Sequence, residues 1–482
     1  LAVFSQESRK RSTKNFLFYQ VVFGTLNMKN FLSGKRIVVM GLGRFGGGED
    51  SAVFAVKSGG KVLVTDLAKP EELANTLKQL EGLPIEYRLG EHRIEDFTSA
   101  DIVIVNPAVP PSNKFLAAAQ KAGVMLTSQV ELFFQFCPAP IVGITGSNGK
   151  STTTSLIYHL LSAGEGQKQT IPYNKVWLSG NIGNRPFLGM LEQITPQDIV
   201  VLELSSFQLE QLSRTQAAPY VSIITNLTPN HLDRHGTFEG YCAAKEFIFS
   251  NQKLSPNNPC VSIFNAEDTV TKDWYEKYKP QQGRKSQLFS SDNISSDLLH
   301  AFPLIGRANR SNLAAALKVV EDFGIAKDCI LNAIKTFQSL PDRLQLIAQM
   351  NNIRWYNDSK STTPVSTIAA LEGIEEPKIL IAGGYDKHIP FDTLGKIIVA
   401  RVKAVVLLGQ TADSIQKAIE NAGGGVIIRR VVSMPEAVKV CRELAVPGDV
   451  ILMSPACASW DMFENYQQRA RVFAEAVLAE QG

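Results

Sequence analysis

The residues with the clearest chemical purpose stand together in Gly143-Ile-Thr-Gly-Ser-Asn-Gly-Lys150-Ser151-Thr-Thr-Thr. An apolar run, Ile141–Thr145, leads into a glycine-rich turn, and a helix-compatible stretch opens at Lys150. Glycines let backbone N–H groups approach a phosphate closely, and a helix N-terminus adds favourable partial charge. Lys150 can neutralise the β- and γ-phosphates of a nucleoside triphosphate, and the Ser151 hydroxyl can ligate magnesium. Ile144 stands where the strict G-x-x-x-x-G-K-[ST] pattern has its first glycine, so the loop is a variant of that pattern.

Further polar clusters follow apolar runs. In I-V-V-L-E-L-S-S-F-Q-L-E (199–210) a strand-like run ends at Glu203, where a carboxylate could ligate magnesium or serve as a helix cap or ion-pair partner. In the segment 225–249, His231 and His235 look like a metal pair, but a zinc site would want a third ligand nearby, and an isolated histidine is more often a hydrogen-bonded structural residue. Lys245 falls on an apolar-rich helix, where a single lysine is more often solvated than catalytic. Asn309 and Asn312 are three apart on one helical face and could read a base edge or pack the helix. In the last third, N-D-S-K-S-T-T (357–363), G-G-Y-D-K (383–387) and S-P-A-C-A-S-W-D (454–461) each follow a strand-like run, at the edge where open α/β sheets collect ligands. Lys360 or Lys387 could face an anionic substrate there, with surface lysine as the plainer alternative. Near the start, G-L-G-R-F-G-G-G-E-D (41–50) and Asp66 loosely imitate a dinucleotide fingerprint, in which the acid would take a ribose hydroxyl.

These clusters need a scaffold of parallel strands, and the chain supplies one. Short Val- and Ile-rich runs alternate with helical stretches at 37–40, 62–65, 102–105, 141–145, 199–204, 221–225, 378–382, 404–408 and 450–453, the pattern of an α/β protein whose sheets are covered on both faces. At 482 residues the chain should form several domains. Punctuation at Cys137-Pro138-Ala139-Pro140 and Leu340-Pro341-Asp342 divides it into 28–137, 138–340 and 341–482. Residues 1–27 carry a basic stretch and a short apolar run without a cleavage signal, and are expected to be an extension ahead of a start at Met28. Hydrophobic content of 44%, a net charge of +3 and no basic stripe with interleaved aromatics argue for a globular protein without nucleic acid as its main partner. Six scattered cysteines suit free thiols in a reducing compartment, hence a cytoplasmic location, and no stretch suggests stable membrane association.

Taken together, T-G-S-N-G-K-S-T-T, L-E-L-S-S-F-Q-L-E, N-H-L-D-R-H-G, N-D-S-K-S-T and S-P-A-C-A-S-W-D closely resemble, in order and spacing, the motifs of the Mur ligase family, over about residues 28–482. The last motif, with Asn465-Tyr466 beyond it, points to the family's D-glutamate-adding branch. The resemblance implies a Rossmann-like N-terminal domain, a central P-loop ATPase-like α/β domain and a Rossmann-like C-terminal domain. It also implies ATP-dependent joining of D-glutamate to UDP-N-acetylmuramoyl-L-alanine through an acyl phosphate, in peptidoglycan precursor synthesis, by a monomer using two Mg2+ ions.

Residue by residue, the resemblance assigns Lys150, Glu203, His231 and Lys245 to catalysis. Ser151 and Glu203 would bind metal, and His231 with a carbamylated Lys245 would hold the second ion. Gly146, Asn148, Gly149, Lys150, Ser151, Thr152, Asn309, Asn312, Arg343 and Asp358 would contact ATP. Asp66, Asn181, Ser205 and Gln208 would contact the UDP-substrate, and Thr362, Lys387, Ser459 and Tyr466 the D-glutamate. The chain departs from the family at Ala308 and Asp342, where histidines are usual, at Ala68, near an expected arginine, and in its longer N-terminal glycine loop. Two rivals remain at this level: a sibling ligase taking a different acid or amine, such as folylpolyglutamate synthase, and a nucleotide-binding switch without ligase chemistry.

Overall fold

The computed structural model describes residues 28–43, 47–165, 171–182 and 187–479. The expectation for 1–27 lies outside the described residues, as do parts of the glycine loop (44–46) and of the G-N-I-G segment (Gly183). Three sheets organise the described residues, which pack into two compact units: those up to 293 with 312–333, and 294–311 with those from 334 onward.

The first unit holds two sheets. One contains β1 (Arg36–Met40), β2 (Lys61–Asp66), β3 (Ile85–Leu89), β4 (Ile102–Val105) and β5 (Met125–Thr127) in the order β3-β2-β1-β4-β5, all pairs parallel. The other contains β6 (Ile141–Thr145), β7 (Val176–Gly180), β8 (Ile199–Glu203), β9 (Val221–Ile224), β10 (Cys260–Asn265) and β11 (Arg284–Phe289) in the order β11-β10-β9-β6-β8-β7, also parallel. Every residue of β6, β8 and β9 is buried, which is why these strands read as unbroken apolar runs instead of alternating ones. β3 and β11 sit at sheet edges, and their partly exposed, more polar sequences blur the strand signal.

The second unit is built on β12 (Gln345–Met350), β13 (Ile353–Asn357), β14 (Lys378–Ala382), β15 (Ala404–Leu407), β16 (Ile427–Arg430) and β17 (Val450–Met453), in the order β12-β13-β17-β14-β15-β16. Only β12 runs antiparallel, joined to β13 across the Asn351-Asn352 turn, where both residues take positive φ. All nine sequence-expected apolar runs are strands, with ends within a residue or so of expectation. Strand order brings β6, β8 and β9 side by side, so that the loops after all three leave from one edge of the sheet.

Candidate functional site

The phosphate-type loop runs from Thr145 at the end of β6 to Lys150, which opens the helix Lys150–Ser162. Gly149 is the N-cap with φ +80°, and Gly146 has φ +141°. A Cβ on Gly146 would strike the Thr225 hydroxyl, and one on Gly149 the side-chain oxygen of Asn312, so these positions require glycine on both conformational and steric grounds. The loop is latched to the segment after β9. Asn148 N–H donates to Asn226 Oδ1 (3.0 Å), Thr225 Oγ1 donates to Asn148 O (2.6 Å), and Ser147 Oγ donates to Thr228 O (2.9 Å). Lys150 Nζ donates to Ser147 O (2.9 Å), folding the lysine back over its own loop.

Beside this loop lie two buried ionisable groups. Glu203 ends β8 with 2% exposure, and its Oε2 is buried with no hydrogen-bond partner, while Oε1 accepts from Asn181 Nδ2 (3.4 Å). It neither caps a helix nor pairs with a base. The cap of the following helix (Ser206–Thr215) is instead Ser205, whose Oγ accepts from Gln208 N–H (3.2 Å) while Gln208 Oε1 accepts from Ser205 N–H (2.9 Å). Lys245 is 1% exposed on the helix Phe238–Ser250, which overturns its plain reading as a solvated lysine. Its Nζ donates to Thr145 Oγ1 (3.1 Å) and lies 4.8 Å from the centre of the Tyr241 ring. Burial holds the Lys245 pKa well below the ordinary lysine value, the Lys150 charge depresses it further, and Glu203 only partly opposes this.

The two histidines separate in role. His231 is exposed, adopts φ +51° as N-cap of the short helix Leu232–His235, and packs edge-on against Phe207. Its pKa is lowered by desolvation and by the Lys245 and Lys150 charges. His235 is enclosed, stacked on Phe207, with Nε2 3.0 Å from Ser206 Oγ and Nδ1 3.3 Å from Glu210. Among the described residues no three His, Cys, Asp or Glu side chains converge as a metal cage.

Several assigned residues already have structural partners. Asp66 Oδ2 accepts from the Leu42 and Gly43 N–H groups, and its Oδ1 from Ala68 N–H, so this carboxylate organises the glycine loop after β1. Asn312 is buried, and its Oδ1 accepts from Thr153 Oγ1 (3.1 Å), tying its helix to the one opened by Lys150. Asn309 Nδ2 donates to Ile305 O, within its own helix entrance. Sequence reasoning missed Asp50. Its carboxylate accepts from the Phe187, Leu188 and Gly189 N–H groups and from Gln129 Nε2, fixing residues 187–189. No local pattern marks it, because its partners lie more than seventy residues away.

In the second unit, Asp358 follows β13 and is buried. It accepts from Leu344 N–H (3.2 Å) and Ser454 Oγ (2.7 Å), and burial raises its pKa to about 6. Asp342, at one of the family departures, has φ +62° and accepts from Asn357 Nδ2 (2.9 Å). The buried Arg469 guanidinium donates to Ser359 Oγ and O and to the Cys457 and Ala458 carbonyls, binding the loops after β13 and β17 together. Those loops, with the one after β14, carry Thr362, Lys387 and Ser459, and Tyr466 opens the final helix. Lys360 Nζ lies 5.5 Å from the Tyr466 ring centre and Lys387 Nζ 5.2 Å from that of Trp460.

Three α/β sheets, with a glycine-rich phosphate-type loop beside the buried Glu203 and Lys245, describe a nucleotide-binding α/β enzyme. The Mur ligase middle domain matches residues 144–320, the Mur ligase glutamate ligase domain 342–457, and the Mur ligase MurD-like N-terminal domain 35–128. The UDP-N-acetylmuramoylalanine–D-glutamate ligase of Roseiflexus sp. (strain RS-1) is 37% identical over 477 residues, covering 92% of this chain and 99% of that protein. The enzyme of the same name from Acetivibrio thermocellus is 36% identical over 474 residues, covering 94% and 98%. This chain belongs to the Mur ligase family. Among solved structures, the UDP-N-acetylmuramate-alanine ligase of Thermotoga maritima shares the fold at TM-score 0.55 and 20% identity, over 93% of this chain and 100% of that one. The Thermotoga maritima MurF ligase in complex with ADP does so at TM-score 0.54 and 16% identity, over 95% and 97%.

Proposed function

We propose that this protein spends ATP to join D-glutamate to UDP-N-acetylmuramoyl-L-alanine, a step of peptidoglycan precursor synthesis. End-to-end similarity to proteins named for that reaction supports the reading. The observation that carries it chemically is the buried Lys245 and the unpartnered Glu203 oxygen beside the Lys150 loop. In this reading the domains divide at 28–137, 138–340 and 341–482, and the protein acts as a cytoplasmic monomer. No helix among the described residues is long and apolar enough to cross a membrane.

The residues present suit magnesium, since the Glu203 oxygen is buried with nothing to accept from and the Ser151 hydroxyl stands at the loop's helix start. Ser151 and Glu203 would hold one ion, and His231 with a carbamylated Lys245 the second. When bound, the ions would offset charge on the phosphoryl oxygens. Burial lowers the Lys245 pKa and so favours its neutral amine, the form that attacks carbon dioxide. The N–C bond forms, the proton leaves to water, and the side chain becomes an anion suited to a metal.

The backbone N–H groups of Gly146, Gly149, Ser151 and Thr152 cradle the phosphates in this scheme, Asn148 contacts the ATP from the same loop, and Lys150 neutralises the terminal phosphate. Asn309, Asn312, Arg343 and Asp358 complete the ATP contacts. Asp66, Asn181, Ser205 and Gln208 position the UDP-substrate so that its alanyl carboxylate oxygen attacks the γ-phosphorus. That P–O bond forms as the bond to ADP breaks. Thr362, Lys387, Ser459 and Tyr466 hold D-glutamate, whose amine attacks the acyl carbon, expelling phosphate and losing a proton.

A substrate panel tests the reading. Phosphate release should require UDP-N-acetylmuramoyl-L-alanine and D-glutamate together, L-glutamate should fail, and mass detection should find the amide. Product with a different acid or amine would make the protein a sibling ligase, and no product with any amine would overturn ligase chemistry.

A further inference from the structure

The chain has four tryptophans, and their environments differ. Trp355 and Trp274 are buried, and Trp177 is partly covered with its Nε1 donating to Asp198 (3.0 Å). Trp460 is 62% exposed. It follows Ser459 in the loop after β17, and Tyr385, itself 37% exposed, lies beside it with ring centres 5.5 Å apart. The two rings form a small exposed aromatic patch at this strand end.

The backbone beneath these rings is fixed. Tyr385 N–H donates to Ala458 O (2.9 Å), forming a bridge between the loops after β14 and β17. Gly384 N–H donates to Thr411 Oγ1 (3.1 Å), and Arg469 donates to the Cys457 and Ala458 carbonyls from the buried side. Trp460 therefore stands on an anchored base although its ring is open to solvent. Lys387, two residues beyond Tyr385, places its Nζ 5.2 Å from the Trp460 ring centre. A lysine ammonium sits on a flexible four-carbon stem, and the negative face of an indole is the strongest aromatic partner for such a charge. Lys360 repeats the arrangement over Tyr466, so the segment 459–466 supplies a ring to a lysine from each of two other strand-end loops.

We infer that Trp460 is a positioning residue, which holds the Lys387 ammonium where it receives a carboxylate of the incoming amino acid. The inference rests on the ligase reading above, in which Lys387 binds D-glutamate, and adds a residue which that reading does not assign. Removing the ring frees the lysine to sample solvent, so binding of the amino acid weakens while the phosphoryl chemistry is untouched.

The test is steady-state kinetics of wild type, Trp460→Leu and Trp460→Phe, with D-glutamate varied at saturating ATP and UDP-N-acetylmuramoyl-L-alanine. Trp460→Leu should raise the KM for D-glutamate about fivefold, the scale of an exposed cation–π contact, while kcat and the KM for ATP stay within about twofold. Trp460→Phe, which keeps a ring, should recover most of that loss. An unchanged KM in Trp460→Leu, a fall in kcat at constant KM, or a Phe variant as impaired as the Leu variant would each overturn the role while leaving the ligase reading intact. A wild-type protein that ligates no D-glutamate would overturn that reading, and this inference with it.

Discussion

Lys245 Nζ lies 3.1 Å from Thr145 Oγ1, so a buried helix lysine meets the last residue of β6 at the root of the phosphate loop. Burial and the Lys150 charge favour its neutral form, and Glu203 and Cys242 oppose them only in part. Replacing it with alanine removes the proposed carbamate. We expect Lys245→Ala to lose activity about a hundredfold or more, the scale of losing one aligned electrostatic partner. A short-chain carboxylate should enter the vacated space and restore part of that activity. Absence of rescue at any concentration would count against the carbamate, though not against the ligase.

Lys150 tests the loop itself. Lys150→Ala should lower turnover by about a hundredfold to a thousandfold, since a charge aimed at the transferred phosphoryl group is gone. Turnover near that of wild type would refute the phosphate-binding role.

Gly149→Ala separates backbone from charge. Its φ of +80° and the adjacent Asn312 oxygen both oppose a Cβ. The variant should be destabilised by about 1–3 kcal/mol and should bind ATP more weakly, since the loop must shift to admit the methyl group. Calorimetric unfolding and ATP titration measure the two effects, and a variant matching wild type in both would contradict the loop geometry.

Asp358 gives a pH signature. Burial raises its pKa from 3.8 to about 6, so the native state holds the proton more tightly than the unfolded chain. Between about pH 4 and pH 6 the folded protein therefore binds more protons, and stability falls as pH rises through that window. Asp358→Asn removes this titration. The stability of the variant relative to wild type should move in its favour by up to about 3 kcal/mol from pH 4 to pH 7. A difference that does not vary with pH would contradict the assignment.

Buried strands were legible because burial on both faces leaves an unbroken apolar run, as in β6 and β8. β3 and β11 were not, because an edge strand carries polar residues that mimic a loop. The loop ending in Lys150 could be read from glycine, lysine and serine spacing alone. The burial of Lys245 was written less openly. Tyr241, Lys245 and Phe249 recur every four residues along the buried stripe of the helix, a pattern that places the lysine inside once periodicity outweighs residue type. Asp50 could not be found this way, because the N–H groups it gathers come from a segment whose nearness only the fold creates.

The most direct test follows the carboxylate oxygen. UDP-N-acetylmuramoyl-L-alanine carrying heavy oxygen in its alanyl carboxylate is turned over with ATP and D-glutamate, and the released phosphate is weighed by mass spectrometry. If the carboxylate attacks the terminal phosphorus of ATP held by the loop at Lys150, each phosphate formed from doubly labelled acid carries one heavy oxygen. Phosphate free of label, with the amide nonetheless formed, would contradict the acyl phosphate route.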